Sequence, residues 1–133
     1  MDAELKEVVD DWIKMSEALS SPEGQNGPED IGSTFWASEL LFELVQNEPE
    51  KAWPILLAIR KATNNHEVLS HLAASHFEDL INMHGEKFIA RIEELCKNDK
   101  EFRHFIGGIW PKENMPQELQ DRFKAIALKP HWD

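Results

Sequence analysis

Cysteine, tyrosine and positive charge are what this sequence is short of. A single cysteine, Cys96, in 133 residues excludes an internal disulfide framework and a cysteine-cluster zinc site, and it fits a reducing cytoplasm. No stretch approaches the roughly 18 apolar residues of a membrane span, so no membrane partner is expected. The opening Met1-Asp2-Ala3-Glu4 has no basic segment, which argues against a secretory signal. Lysine and arginine number 14 against 25 acids, for a formal charge of −11. A surface so poor in cations does not suit nucleic-acid phosphate. Strict apolar-polar alternation is also missing, and with it the signature of a half-buried strand. At 41% apolar residues the chain is nevertheless globular, and long enough to bury a core as one domain over 1–133.

The charge is unevenly placed. Residues 1–50 hold thirteen acids and only two bases, Lys6 and Lys14, whereas residues 51–133 hold twelve of each. All of the excess negative charge therefore lies in the first 50 residues. Such asymmetry attracts cationic partners and raises association rates. The plain alternative is a solvated acidic face that aids solubility. As a spread array, Asp10, Asp11, Glu17, Glu23, Glu29, Asp30, Glu39 and Glu43 suit a protein interface that matches lysines and arginines one by one.

Apolar residues recur at helical spacing along nearly the whole chain. Leu5, Val8, Val9, Trp12, Ile13 and Leu19 make one stripe over 3–19. The run Ser20 to Pro28, rich in Ser, Pro and Gly, is a loop reaching to about residue 33. Ser33 or Thr34 is placed to cap a second helix carrying Trp36, Leu40, Leu41, Leu44 and Val45. Pro49 opens a third helix that is apolar on most sides. Asn65 caps a fourth, whose stripe runs from Val68 to Ile81 and ends at Gly85, with a break suggested near Ala74-Ser75. A fifth carries Phe88 to Cys96. Asn98 with Glu101, and Asn114 with Gln117, read as capping boxes for two more, the first ending at Gly107-Gly108. The tail at 129–133 is expected to be loose. The reading is all-α, as an antiparallel bundle or a short curved stack of about six or seven helices.

No arrangement here carries recognisable chemistry, and no catalytic, metal or cofactor residues are expected. His66 and His71 are five apart, one too many for two zinc ligands on one helix face, and Glu67 with His71 reads as an i,i+4 pair. His76 and His84 lie at the edge of an apolar stripe and suit hydrogen-bonded boundary positions. Cys96 reads as a small buried hydrophobe. Ser16, Ser20 and Ser21 lack a nucleophile elbow. Trp12, Trp36 and Trp53 fall on apolar stripes and read as core, Trp110 as a plug at one end, and Trp132 as a possible anchor in a loose tail. Glu78-Asp79 and Glu93 are read as partners for bases such as Arg103 on other helices.

Trp36-Ala37-Ser38-Glu39-Leu40, Ala52-Trp53, Leu72-Ala73, Phe77-Glu78-Asp79-Leu80-Ile81, His84-Gly85, Ile92-Glu93, and Phe102-Arg103 through Gly107-Gly108-Ile109-Trp110 together resemble a family of small bacterial proteins of unknown function. The resemblance spans roughly residues 34–111. It implies an all-helical domain and supplies no catalytic residues. By size, charge and fold class the chain also resembles immunity proteins, which neutralise bacterial toxins, and that likeness is analogy. The expectation is a cytoplasmic, non-enzymatic module binding a basic protein, such as a cognate nuclease toxin domain, with no feature setting an oligomeric state. The alternative is a scaffold or regulatory subunit using a helical groove with Trp110 or Trp132 as anchor. A third class is an enzyme acting through His76, His84 and nearby carboxylates.

Overall fold

The computed structural model describes residues 3–20, 33–109 and 111–132. Most of the loop expected at 20–33 lies outside these residues, as do Glu23, Glu29, Asp30, Trp110 and Asp133. Among the described residues every regular element is a helix, so the chain is all-α, as its 3.6-residue periodicity dictates. Its contacts divide it into two compact units, residues 1–72 and 73–133.

The first unit holds α1 (Ala3–Ser20), α2 (Trp36–Asn47), α3 (Pro49–Ala62) and α4 (His66–Leu72). α1 buries Val8, Val9, Trp12, Met15 and Ser16, positions that return to one face every three or four residues. That face meets α2, α3 and α4. Neither Ser33 nor Thr34 caps α2. Phe35 takes the N-cap position with no side-chain hydrogen bond, and the Thr34 carbonyl accepts from the Ala37 amide at 3.3 Å. Pro49 opens α3 within its first turn, where a missing amide proton costs least. Asn65 caps α4 as expected: its Oδ1 accepts from the amides of Glu67 at 2.9 Å and Val68 at 3.4 Å.

The second unit opens with a π turn, Ala73–Phe77, where the sequence suggested a break. It continues with α5 (Glu78–Asn98), α6 (Lys100–Ile106) and α7 (Gln117–Ile126). Gly85 does not end the helix. His84 leaves helical geometry (φ −135°, ψ 23°) and makes a kink, after which α5 resumes. Gly85 itself is buried, and a Cβ there would lie 3.1 Å from Leu119 Cδ2 on α7. The glycine serves a close approach between helices.

The cap of α6 is Asp99, one residue beyond the expected Asn98, with Oδ1 accepting from the Phe102 amide at 3.0 Å. α7 likewise starts later than its expected Asn114 cap, with Pro116 at the N-cap position. Glu93 and Arg122 form a two-pronged ion pair between α5 and α7, with Nε donating at 3.1 Å. That hydrogen bond, aided by the guanidinium charge and opposed by burial, holds Glu93 below the usual carboxylate range. Arg103 does not reach for Glu78-Asp79; its Nε donates to the Ile126 carbonyl at 2.9 Å.

The chain end is strapped along α6, where a loose tail was expected. The Leu128 amide donates to the Arg103 carbonyl at 3.1 Å. His104 Nδ1 lies 2.6 Å from the Lys129 carbonyl, and His131 Nε2 lies 2.9 Å from Glu101 Oε2. Trp132 meets Phe105 edge to face at 6.4 Å. The double glycine is the bed for this strap: a Cβ on Gly107 would stand 1.7 Å from the Leu128 carbonyl oxygen, and one on Gly108 would stand 2.2 Å from the Trp132 ring.

Candidate functional site

α2 uses a narrow stripe for the core. Ala37, Leu41, Leu44 and Val45 are buried, and the helix would be soluble with polar residues elsewhere. Phe35 and Phe42 instead stand on the outer side, 41% and 52% exposed. With Ser38, Glu39, Glu43, Gln46 and Asn47 they line a groove of about 350 Å³. These positions are three and four residues apart, which places them on one helix face. Water around exposed aromatic surface is unfavourable, so such a patch marks an interaction site more often than chance.

Glu39 and Glu43 are exposed on this face, and neither carboxylate has a hydrogen-bond or ion-pair partner among the described residues. α2 contains no lysine or arginine, and its last carbonyls add a partial negative charge beside Gln46 and Asn47. The groove is therefore aromatic along its length and anionic along its rim.

The remaining early carboxylates are placed differently. Asp10 and Glu17 are seven apart and share a row of α1 with Lys6 and Lys14, so charge alternates along it. Lys6 pairs with Asp10 at 3.3 Å. Asp11 lies on another side of α1 and accepts from Trp36 Nε1 at 2.7 Å. This bond explains why Trp36, expected in the core, is 37% exposed: an indole N–H needs an acceptor, and Asp11 offers one at the surface. Of the eight candidate acids, the structure thus brings Glu39 and Glu43 together, commits Asp11 to a tryptophan, and sets Asp10 and Glu17 among lysines. Glu23, Glu29 and Asp30 are not among the described residues. What sequence reasoning missed was Phe35 and Phe42. Their spacing of seven, off the stripe of Leu41 and Val45, was the available signal.

The nearest approach to a catalytic pair is Ser16 and His71. His71 does not pair with Glu67 as expected; its Nδ1 lies 2.9 Å from Ser16 Oγ across α1 and α4. Its ring rests 5.0 Å from that of Trp12, and burial pushes its pKa below the ordinary histidine value. Ser16 has no exposed surface, so a substrate has no path to its Oγ. The contact ties α4 to α1. His76 is buried in the π turn, and His84 sits at the α5 kink. Burial raises the Asp79 carboxyl, with Lys112 opposing it more weakly.

Two hollows of the second unit offer a comparison. One, of about 690 Å³, is lined by residues of mixed sign, Glu93, Glu94, Lys97 and Arg103, with Cys96. The other, of about 380 Å³, lies around His84 and Met115. Neither joins exposed aromatics to charge of one sign. Among the described residues no three His, Cys, Asp or Glu are grouped to hold a metal, and no helix is long and apolar enough to cross a membrane.

Residues 24–131, most of the chain, match a family of unknown function (DUF6869). No curated protein and no solved structure matches.

Proposed function

Since the chain belongs to the DUF6869 family of unknown function, we propose a role read from its surface: a non-enzymatic module that binds a basic protein. In its most concrete form it is an immunity protein, acting in the cytoplasm against a bacterial toxin. A nuclease suits this best, because a nuclease holds phosphate in a cationic cleft, and an inhibitor covering that cleft presents carboxylates. The observation that carries the reading is the outer face of α2. Phe35 and Phe42 supply apolar area there, and Glu39 and Glu43 supply charge that no cation of this chain offsets among the described residues.

The test is affinity for a basic domain encoded beside this chain, measured at low and high salt. Glu39→Lys with Glu43→Lys should weaken the complex by about tenfold or more at low salt. The same change should flatten the salt dependence and leave the melting temperature alone. Unchanged affinity would remove α2 from the mechanism. The exposure of Phe42 also favours a second reading, a scaffold or regulatory subunit anchored by aromatics. In that case Phe42→Ala weakens binding equally at low and high salt.

A further inference from the structure

The geometry points to one occupant for the α2 groove: a single amphipathic helix of the partner, with an apolar seam and with lysine or arginine along one flank of it. This inference rests on the docking reading above and names the chemistry of the segment that docks. Every described residue lining the groove comes from one helix and the residue before it, so this part of the groove is the surface relief of a helix. Positions 35, 38, 39, 42, 43 and 46 follow the spacing of three and four that forms the ridges between which a second helix packs. The row from 35 to 47 is about 18 Å long at 1.5 Å per residue, enough for roughly three turns of a partner.

The two phenylalanines and the two acids are ordered around the axis. At 100° per residue, Phe35 and Phe42 fall within about 20° of each other, while Glu39 and Glu43 fall roughly 40° and 80° to one side. Ser38 lies on the opposite side. A helix laid along the phenylalanines therefore meets carboxylate on one flank only, which fixes which of its flanks must be cationic.

Other occupants fit less well. A second copy of this chain would bring Glu39 and Glu43 towards an equally acidic α2, and the first unit has fourteen acids against five bases, so charge opposes self-pairing. Nucleic acid is repelled by the same carboxylates. A small cation finds no enclosure among the described residues, because sites for small ligands bury most of the ligand surface and the described wall of this groove is a single helix.

The probe is a synthetic peptide of leucine and lysine, about 18 residues long, with leucine on a helical seam and lysine on one flank. A scramble of the same composition and a version with glutamate for lysine accompany it. Each is titrated calorimetrically into the full chain. The amphipathic peptide should bind at least about tenfold more tightly than the scramble, and the glutamate version should not bind. Phe42→Ser should cost about tenfold or more, while Phe42→Leu, which keeps an apolar ridge, should retain binding. Because Phe42 is half exposed, both variants should melt like the native chain.

Equal binding of peptide and scramble, no binding of either, or indifference to Phe42→Ser would overturn the helix-docking inference. If the scramble binds equally and Glu39→Lys with Glu43→Lys weakens both peptides, the acidic docking reading survives its loss. If both peptides bind and neither responds to that reversal, the two fall together.

Discussion

In residues 73–133, Phe77, Phe102, Phe105 and Trp132 meet one another at centroid distances of 5.0 to 6.4 Å. In residues 35–42 of the other unit, Phe35, Trp36 and Phe42 stand 37% to 52% exposed. Charge divides along the same line. The second unit has eleven acids and nine bases, and its long-range pairs Arg122–Glu93 and His131–Glu101 join different elements. The first has fourteen acids and five bases, and its pairs Lys6–Asp10 and Lys51–Glu48 join neighbours in sequence. The second unit thus uses its rings and charges to hold its own helices. The first leaves a share of both facing outward, in the pattern that marks an interaction surface more often than chance.

Exchanging the same residue type in both units is the sharpest way to break this contrast. Phe105→Ala removes a ring that is 3% exposed and should cost about 3–5 kcal/mol of stability. Phe42→Ala removes one that is 52% exposed and should change stability by less than about 0.5 kcal/mol. Denaturant unfolding of the two variants measures both. Comparable losses would show that Phe42 belongs to the core and would end its candidacy as a docking residue.

Next in size is the strap of the second unit. Gly107→Ala drives a methyl group into the Leu128 carbonyl, which is backbone and must move. The cost should be about 1–3 kcal/mol, with faster hydrogen exchange of the Leu128 amide, which bonds the Arg103 carbonyl, as the tail lifts. Gly85→Ala meets the end of the Leu119 side chain at 3.1 Å, which yields by rotation, so its cost should be below about 1 kcal/mol. Equal costs would mean that the strap is not held by this close approach.

How much of this could be read beforehand depended on the range of the interaction. The stripes of α1 and α2, Pro49 at the start of α3 and the Asn65 cap are local and were legible. The α6 cap slipped by one residue because Asn98 and Asp99 are both good acceptors, and only the fold selects between them. Gly85 read as a helix stop because the signal for a stop and for a close neighbour is the same residue, whereas Gly107 is both, ending α6 as expected and also making room for Leu128. The neighbours, Leu119 and Leu128, are more than twenty residues away in sequence. For the proposed docking face, the alternation of Lys6, Asp10 and Lys14 and the four-residue spacing of Glu39 and Glu43 were already in the sequence. The bond from Trp36 to Asp11, across 25 residues, was not.

The smallest effect separates the units by the sign of their response to acid. Burial lowers the pKa of His71 in the first unit from 6.5, so below that pH the unfolded chain takes up a proton more readily than the folded one. The stability His71 allows is therefore complete above about pH 6.5 and is lost as pH falls through its lower folded value. Asp79 in the second unit is shifted upward from 3.8, by burial first. Its folded form binds the proton more readily, so its ionised carboxylate is a penalty near neutral pH, relieved as pH falls through its folded value towards 3.8. Melting curves from about pH 7.5 down to about pH 4 should show the difference. His71→Gln should flatten the fall on acidification relative to the native chain, whereas Asp79→Asn should raise the melting temperature at neutral pH and converge with the native chain in acid. Parallel curves for His71→Gln and the native chain would mean that burial does not keep this histidine neutral, and the assignment of acid sensitivity to the first unit would fail.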